Sequence, residues 1–351
     1  MSPSALLLEP GSQAGMPHRQ SPSRMVWMDQ ARGVAIVLVV VFHGRTVQAR
    51  FADVPAGLRE LTESFDPFRM PLLVFLSGML LSHSLAKSPG AYALGKARSI
   101  AWPYAVWSVA SLAVVAELSA DTVAAVLVSP LSHLWFLPYL LGYYALAWVL
   151  QVLRVPVLPV AAVALLSAGL LDGGWRRMTF LCAFFFAGHV YVQHQVVFER
   201  RAGATWLAVS GVVVVAGGAV SAMGAPVKYE PLLAAVPVGG IALCLLLARW
   251  STGGPAARAL AYVGRQSIVF YVSHFLTLWV VHTTLDAAGV RGPVLVFLLG
   301  VSSAFAVGAL LVTVRRRSRL VDALFRLPWP TGWQPRRATS AAARRDGSPA
   351  R

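Results

Sequence analysis

The sequence predicts an all-α, polytopic integral membrane protein with about ten transmembrane helices and both termini cytoplasmic. Three observations carry this prediction. The chain is 57% hydrophobic and only 13% charged, with a mean hydropathy of +0.65, whereas soluble domains carry roughly twice that charged fraction. Apolar segments recur along the whole length instead of clustering in one part of it. Most of the 30 Lys and Arg residues fall in alternate connections and in the C-terminal tail, the bias expected for cytoplasmic segments.

Crossing ~30 Å of hydrocarbon takes about 20 apolar residues in a helix, and the chain divides accordingly. Residues 1–24 hold only a four-residue apolar run, Ala5–Leu8, among Pro and Ser, and read as a flexible leader rather than a cleaved signal. Ten candidate spans follow at 26–48, 67–86, 99–117, 133–153, 156–172, 178–195, 204–222, 231–250, 260–283 and 292–314. Two prolines, Pro156 and Pro159, interrupt the fifth, and only Arg154 separates it from the fourth. The membrane domain thus occupies 25–315. Residues 316–351, rich in Arg, Pro, Ser and Ala, read as a disordered basic cytoplasmic tail able to rest on anionic headgroups.

Some function classes fall away at this point. A net charge of +16 would suggest nucleic-acid binding in a soluble domain, but here the basic residues sit in short connections and the tail, so no nucleic acid is expected. Cys182 and Cys244 lie in separate apolar stretches and form neither a disulfide framework nor a metal motif. His83, His189, His194 and His282 fall near helix ends at spacings that make no metal site.

The first span is anomalous. Its fully apolar run, Gly33–Phe42, is ten residues long, so the helix must recruit Asp29, Arg32 and His43 to span. Arg32 and His43 are eleven positions apart, about 20° past three full turns and ~16 Å along the axis. They share a face, and Asp29 lies within pairing distance of Arg32. Ionisable groups within a bilayer normally face protein or an aqueous cavity, so this face lines a polar cavity. The alternative is an Asp29–Arg32 interfacial anchor with His43 snorkelling outward.

The pattern D-x-x-R-G-x-A-I-x-x-V-V-x-F-H over residues 29–43 resembles the first helix of acyltransferase family 3. These are integral-membrane enzymes that O-acylate sugars and related acceptors. FRMPLLVFLSGMLL at 68–81 is similar to the second helix of the family's sugar O-acetylases, of the fucose 4-O-acetylase kind. HLWFLPYLL at 133–141 resembles the family's Leu-Trp-Phe-Leu helix start. VGRQSIVFYVSH at 263–274 resembles its late Gly-x-x-Ser…Tyr-x-x-His signature, and KARSIAWPY at 96–104 its third-helix start. The resemblance covers about 26–315. It departs at Arg69, where related O-acetylases often carry His. A permanent cation replaces a hydrogen-bond acceptor there, which bears on the acceptor.

The resemblance implies transfer of an acyl group, acetyl in the first instance, from acyl-CoA to a hydroxyl of a carbohydrate or cell-surface glycoconjugate. The enzyme would sit as a multi-pass protein in the plasma (inner) membrane. Such a reaction needs a base for the alcohol proton and stabilisation of an oxyanion. His43 fits the base, because a neutral imidazole keeps one nitrogen as acceptor. It would activate the acceptor for direct attack on acetyl-CoA, or form an acetyl-His intermediate. Arg32 stays protonated and suits the phosphates of coenzyme A or the structuring of the cavity. Lys96 and Arg98 are further candidates for donor phosphates, with cytoplasmic anchoring the plainer alternative. Asp29, Arg69, Tyr271 and His274 are the candidates for the acceptor side, and no metal is expected. Succinyl transfer remains within the class, and a transporter of glycan or lipid-linked sugar is the reading from a different class.

Overall fold

The computed structural model describes residues 25–115, 119, 121–122, 133–201, 203–251 and 253–328. The expected leader, 1–24, lies outside the described residues, as does the tail from 329 onward. The described residues are helical with no strand.

Helix α1 (Val26–Gln48) is followed by α2 (Leu58–Ser64), α3 (Asp66–Gly78) and α4 (Leu81–Leu85). Next, α5 (Pro89–Lys96) passes through a π-helical turn, Ala97–Ala101, into α6 (Trp102–Val115). The order continues with α7 (Phe136–Leu153), α8 (Val157–Ser167), α9 (Gly173–Gln193), α10 (Gln195–Arg201) and α11 (Ala204–Ala222). The chain then forms α12 (Ala235–Trp250), α13 (Pro255–Arg265), α14 (Ser267–Ala287), α15 (Pro293–Arg315) and α16 (Arg319–Ala323).

Seven helices among the described residues are long and apolar enough to cross a membrane, not ten: α1, α3 with α4, α7, α11, the 3₁₀ turn Pro231–Leu233 with α12, α14 and α15. The other three expected spans also lie on helices. α6 is described as far as Val115 and continues from α5 through the π-helical turn, and α8 with its 3₁₀ extension ends at Leu170. α9 is 21 residues long, but Arg176, Arg177, His189 and Gln193 dilute its apolar stretch. The expected span at 260–283 is two elements. The backbone turns at Gln266, so α13 is a separate short helix with Ala257, Ala261 and Gly264 buried and Arg258 and Arg265 exposed.

α1 is the hub of the bundle, packed against α3, α12, α13, α14 and α15. Its contact with α13 is backbone to backbone. A Cβ on Gly264 would lie 1.7 Å from the carbonyl oxygen of Asp29, and one on Gly33 would lie 2.1 Å from that of Leu260. Small residues permit such approach where apolar burial alone gives little driving force between helices. Two of the sequence signatures, R-G at 32–33 and V-G-R-Q-S at 263–267, are therefore the two halves of one contact, and that contact sets the position of α1. Outer helices α11 and α15 expose Val212, Val215, Leu298 and Leu310, an apolar surface that hydrocarbon covers.

Residues 316–328 are not the disordered stretch the composition suggests. Phe325 is 1% exposed and packs on Trp107 with ring centroids 5.4 Å apart. The indoles of Trp102 and Trp107 donate to the carbonyls of Ala323 and Leu324. Arg98 donates from Nε to the carbonyl of Leu327 at 2.7 Å. Phe325 and the indoles of Trp102 and Trp107 thus dock the segment on α6 despite its basic composition.

Candidate active site

The uninterrupted α1 keeps Arg32 and His43 on one side, and both side chains are half-buried. Near the start of α1, the Arg32 guanidinium donates from Nη2 to the carbonyl of Leu76 in α3 at 3.3 Å. It also lies within electrostatic range of Tyr144 in α7. Tyr144 donates its hydroxyl to the carbonyl of Ser77, and the Lys96 ammonium sits 3.4 Å above its ring while donating to Ser84 Oγ at 2.9 Å. Arg32 and Lys96 therefore converge on one aromatic side chain from two helices. Burial, and secondarily Lys87, pushes the Lys96 ammonium down to about 8.

Of the other two candidates, Asp29 lies one turn before Arg32 on α1 and Arg98 turns to the C-terminal segment. Arg98 is buried against the C-terminal segment described above, so its guanidinium positions that segment. Asp29 is buried at the α1–α13 contact, fourteen residues or ~21 Å along the helix from His43.

At the far end of α1, His43 meets His274 of α14. His274 is fully buried, and its Nδ1 lies 2.6 Å from the carbonyl of Tyr271. Its Nε2 lies 3.2 Å from His43 Nδ1, which is also 2.9 Å from the carbonyl of Val39. These contacts fix the tautomers. A carbonyl only accepts, so the proton of each imidazole must be on Nδ1. A neutral His274 then offers a bare Nε2, and His43 Nδ1–H is shared between that nitrogen and Val39. The remaining nitrogen of His43, Nε2, carries a lone pair and has no hydrogen-bond donor among the described residues.

A third imidazole, His133, completes the group. It stacks flat on Phe275 with centroids 4.1 Å apart, stands 3.3 Å from Ser111 Oγ through Nε2, and lies 6.5 Å from His274 between ring centres. Tyr271 donates its hydroxyl to the His133 carbonyl at 2.6 Å. Both residues are buried, so Tyr271 fastens the His133 main chain and does not face an open space. His133 opens the HLWFLPYLL stretch, but nothing in its spacing from His43 or His274 announced the contact. Among the described residues, no group of three or more His, Cys, Asp or Glu side chains is arranged to hold a metal ion.

Arg69 reaches the same end from α3. Pro67 opens that helix and Pro71 interrupts its hydrogen bonding. Arg69 is 4% exposed, pairs closely with Asp66 one turn earlier, and stacks 3.5 Å over the ring of Phe42, the neighbour of His43. Its charge is felt at His43. Lys228, from the connection between α11 and α12, pairs with the other oxygen of Asp66 at 3.2 Å. No sequence pattern pointed to Lys228.

An α-helical bundle with a polar histidine–arginine end and a separate basic–aromatic end is what the fold supplies. The family model described as an acyltransferase domain, of acyltransferase family 3, matches residues 25–313. The chain belongs to acyltransferase family 3. This acyltransferase is accordingly a multi-pass membrane protein. Nothing among curated proteins or solved structures matches it.

Proposed function

We propose that this acyltransferase moves an acetyl group from acetyl-CoA to a hydroxyl of a sugar or cell-surface glycoconjugate, with His43 as general base. The observation that carries the reading is the pair of contacts at His43 Nδ1, 2.9 Å to the Val39 carbonyl and 3.2 Å to His274 Nε2; because a carbonyl only accepts, they assign the proton to Nδ1 and leave Nε2 as the acceptor nitrogen. As the acceptor oxygen attacks the thioester carbonyl, its proton passes to Nε2 and the carbonyl electrons move onto oxygen. Collapse of that oxyanion breaks the C–S bond. The sulfur leaves with the proton returned from the imidazolium, giving the acetyl ester and free coenzyme A. Arg69 opposes the imidazolium but favours the oxyanion, and the two charges form together, so its net effect turns on which lies nearer.

Arg32 and Lys96 suit the donor phosphates. The ~16 Å along α1 between Arg32 and His43 is compatible with an extended pantetheine arm. In this reading the N-terminal end of α1 faces the cytoplasm of a plasma (inner) membrane, where acetyl-CoA is available, and the acceptor enters from the His43 end.

Incubating the purified full chain with acetyl-labelled acetyl-CoA tests the reading. Release of free coenzyme A thiol with label appearing as hydroxylamine-labile ester supports it. An intact thioester after prolonged incubation with cell-surface glycan and lipid extracts refutes it and favours a carrier.

A further inference from the structure

The end of α1 that carries His43 holds more positive charge than its carboxylates balance. Arg45, Arg69 and Lys228 all gather around the single ring of Phe42, at 5.4, 3.5 and 5.7 Å from its centroid. Asp66 serves both Arg69 and Lys228. Glu63 is shared between Arg45, at 4.0 Å, and the exposed Arg59.

Arg177, at the start of α9, adds a fourth cation. Its neighbour Arg176 pairs with Asp172 and Glu230, whereas Arg177 has no carboxylate within 4 Å among the described residues. It lies 4.1 Å over the Trp135 ring and donates from Nη2 to Tyr139 Oη, and its buried Nε has no hydrogen-bond partner among the described residues. Four cations thus face two carboxylates, one of them also claimed from outside.

The connection bearing Lys228 is held in an unusual backbone state. Tyr229 has φ of +60°, a left-handed conformation that side chains bearing a Cβ seldom adopt. Such conformations persist where surrounding structure imposes them, commonly at functional sites. Here the Tyr229 ring packs on Phe180 while Lys228 is delivered to Asp66 and Phe42. The Lys228 side chain is still 34% exposed. Burial first, then the charge of Arg69, pushes its ammonium down, with Arg177 adding to the effect. An anion arriving at this place would relieve that repulsion.

We infer that the acceptor carries an anionic group, a carboxylate or a phosphate, close to the hydroxyl that is acetylated, and that Lys228 and Arg177 hold it. This rests on the acetyl-transfer reading above and narrows its substrate class. Arg69 is less available to the acceptor, being almost wholly buried and matched to Asp66. Lys228 and Arg177 are the partly exposed cations whose charge is shared or unmatched.

The test uses cells that produce the full chain and are fed labelled acetate. Base-labile label that depends on the protein is separated by anion exchange at neutral pH and by partition between organic and aqueous phases. Retention on the anion exchanger is expected. The organic phase would indicate a lipid-linked phosphate, and the aqueous phase a glycan, in which carboxyl reduction then separates carboxylate from phosphate. The double variant Lys228→Gln with Arg177→Gln is expected to lose at least tenfold of the retained label at equal protein level. Lys228→Arg, which keeps a cation to pair with Asp66, is expected to recover much of it when combined with Arg177→Gln. Protein-dependent ester that flows through as neutral material overturns the inference and leaves the acetyl-transfer reading standing. So does a double variant that esterifies as well as the parent. Absence of any protein-dependent ester refutes the acetyl-transfer reading itself, and the inference falls with it.

Discussion

Replacing His274 by alanine removes the acceptor that shares the His43 Nδ1 proton. The geometry specifies what is lost: one hydrogen bond, 3.2 Å long, to a residue with no solvent exposure. With Val39 still accepting from Nδ1, no donor is orphaned, and the loss is that of one ordinary hydrogen bond, about 1 kcal/mol. At 1.36 kcal/mol per tenfold in rate, that corresponds to about fivefold in kcat/KM. Val39 still holds the Nδ1 proton, so the tautomer survives and the loss is one of orientation. The expected signature is a lower kcat with little change in KM for acetyl-CoA, because the donor cations lie at the other end of α1. His274→Gln, whose amide oxygen can accept where Nε2 did, should recover most of the rate. In a double-mutant cycle, adding His274→Ala to His43→Ala should cost almost nothing further, since residues acting as a unit are not additive. The reasoning fails if His274→Ala stays within twofold of the parent at equal protein level. It also fails if the double variant is as much below His43→Ala as His274→Ala is below the parent.

Gly264→Ala places a Cβ 1.7 Å from the Asp29 carbonyl oxygen, so α13 must leave α1. Membrane yield should drop sharply and activity should vanish, whereas full yield would mean the two backbones do not touch. If Lys96 grips donor phosphate, its cationic fraction declines as pH rises through about 8. KM for acetyl-CoA should therefore rise above that pH in the parent and stay flatter in Lys96→Arg, and parallel profiles would remove Lys96 from the donor site. Phe325→Ala removes the buried anchor of residues 316–328. Truncating a buried Phe costs ~3–5 kcal/mol, so trypsin should cleave at Arg326 far faster, and an unchanged cleavage rate would contradict the docking.

The helical, membrane-spanning class was legible because hydrocarbon imposes one length and one composition on every span. The shared side of Arg32 and His43 was legible too, since it follows from helical period within a single element. What sequence could not supply were relations between elements. The joining of His43 to His274 depends on how far α14 is offset along α1, which the α1–α13 contact fixes through Gly33 and Gly264. His133 reaches the group through a stack on Phe275, and Lys228 through a strained connection, and neither leaves a periodic trace. The same limit affected the spans. Hydropathy joined α13 to α14 because a break at Gln266 costs the average nothing. It passed over residues 316–328 because two indoles and one buried Phe are too few to shift the composition of a basic tail.

The central claim is that His43 Nε2 takes the acceptor proton, and His43→Ala in the purified full chain tests it most directly. General-base contributions are typically 10²–10⁴-fold. A fall of at least a hundredfold in acetyl transfer, with acetyl-CoA binding and protein yield retained, is the predicted result. Transfer within tenfold of the parent would contradict it.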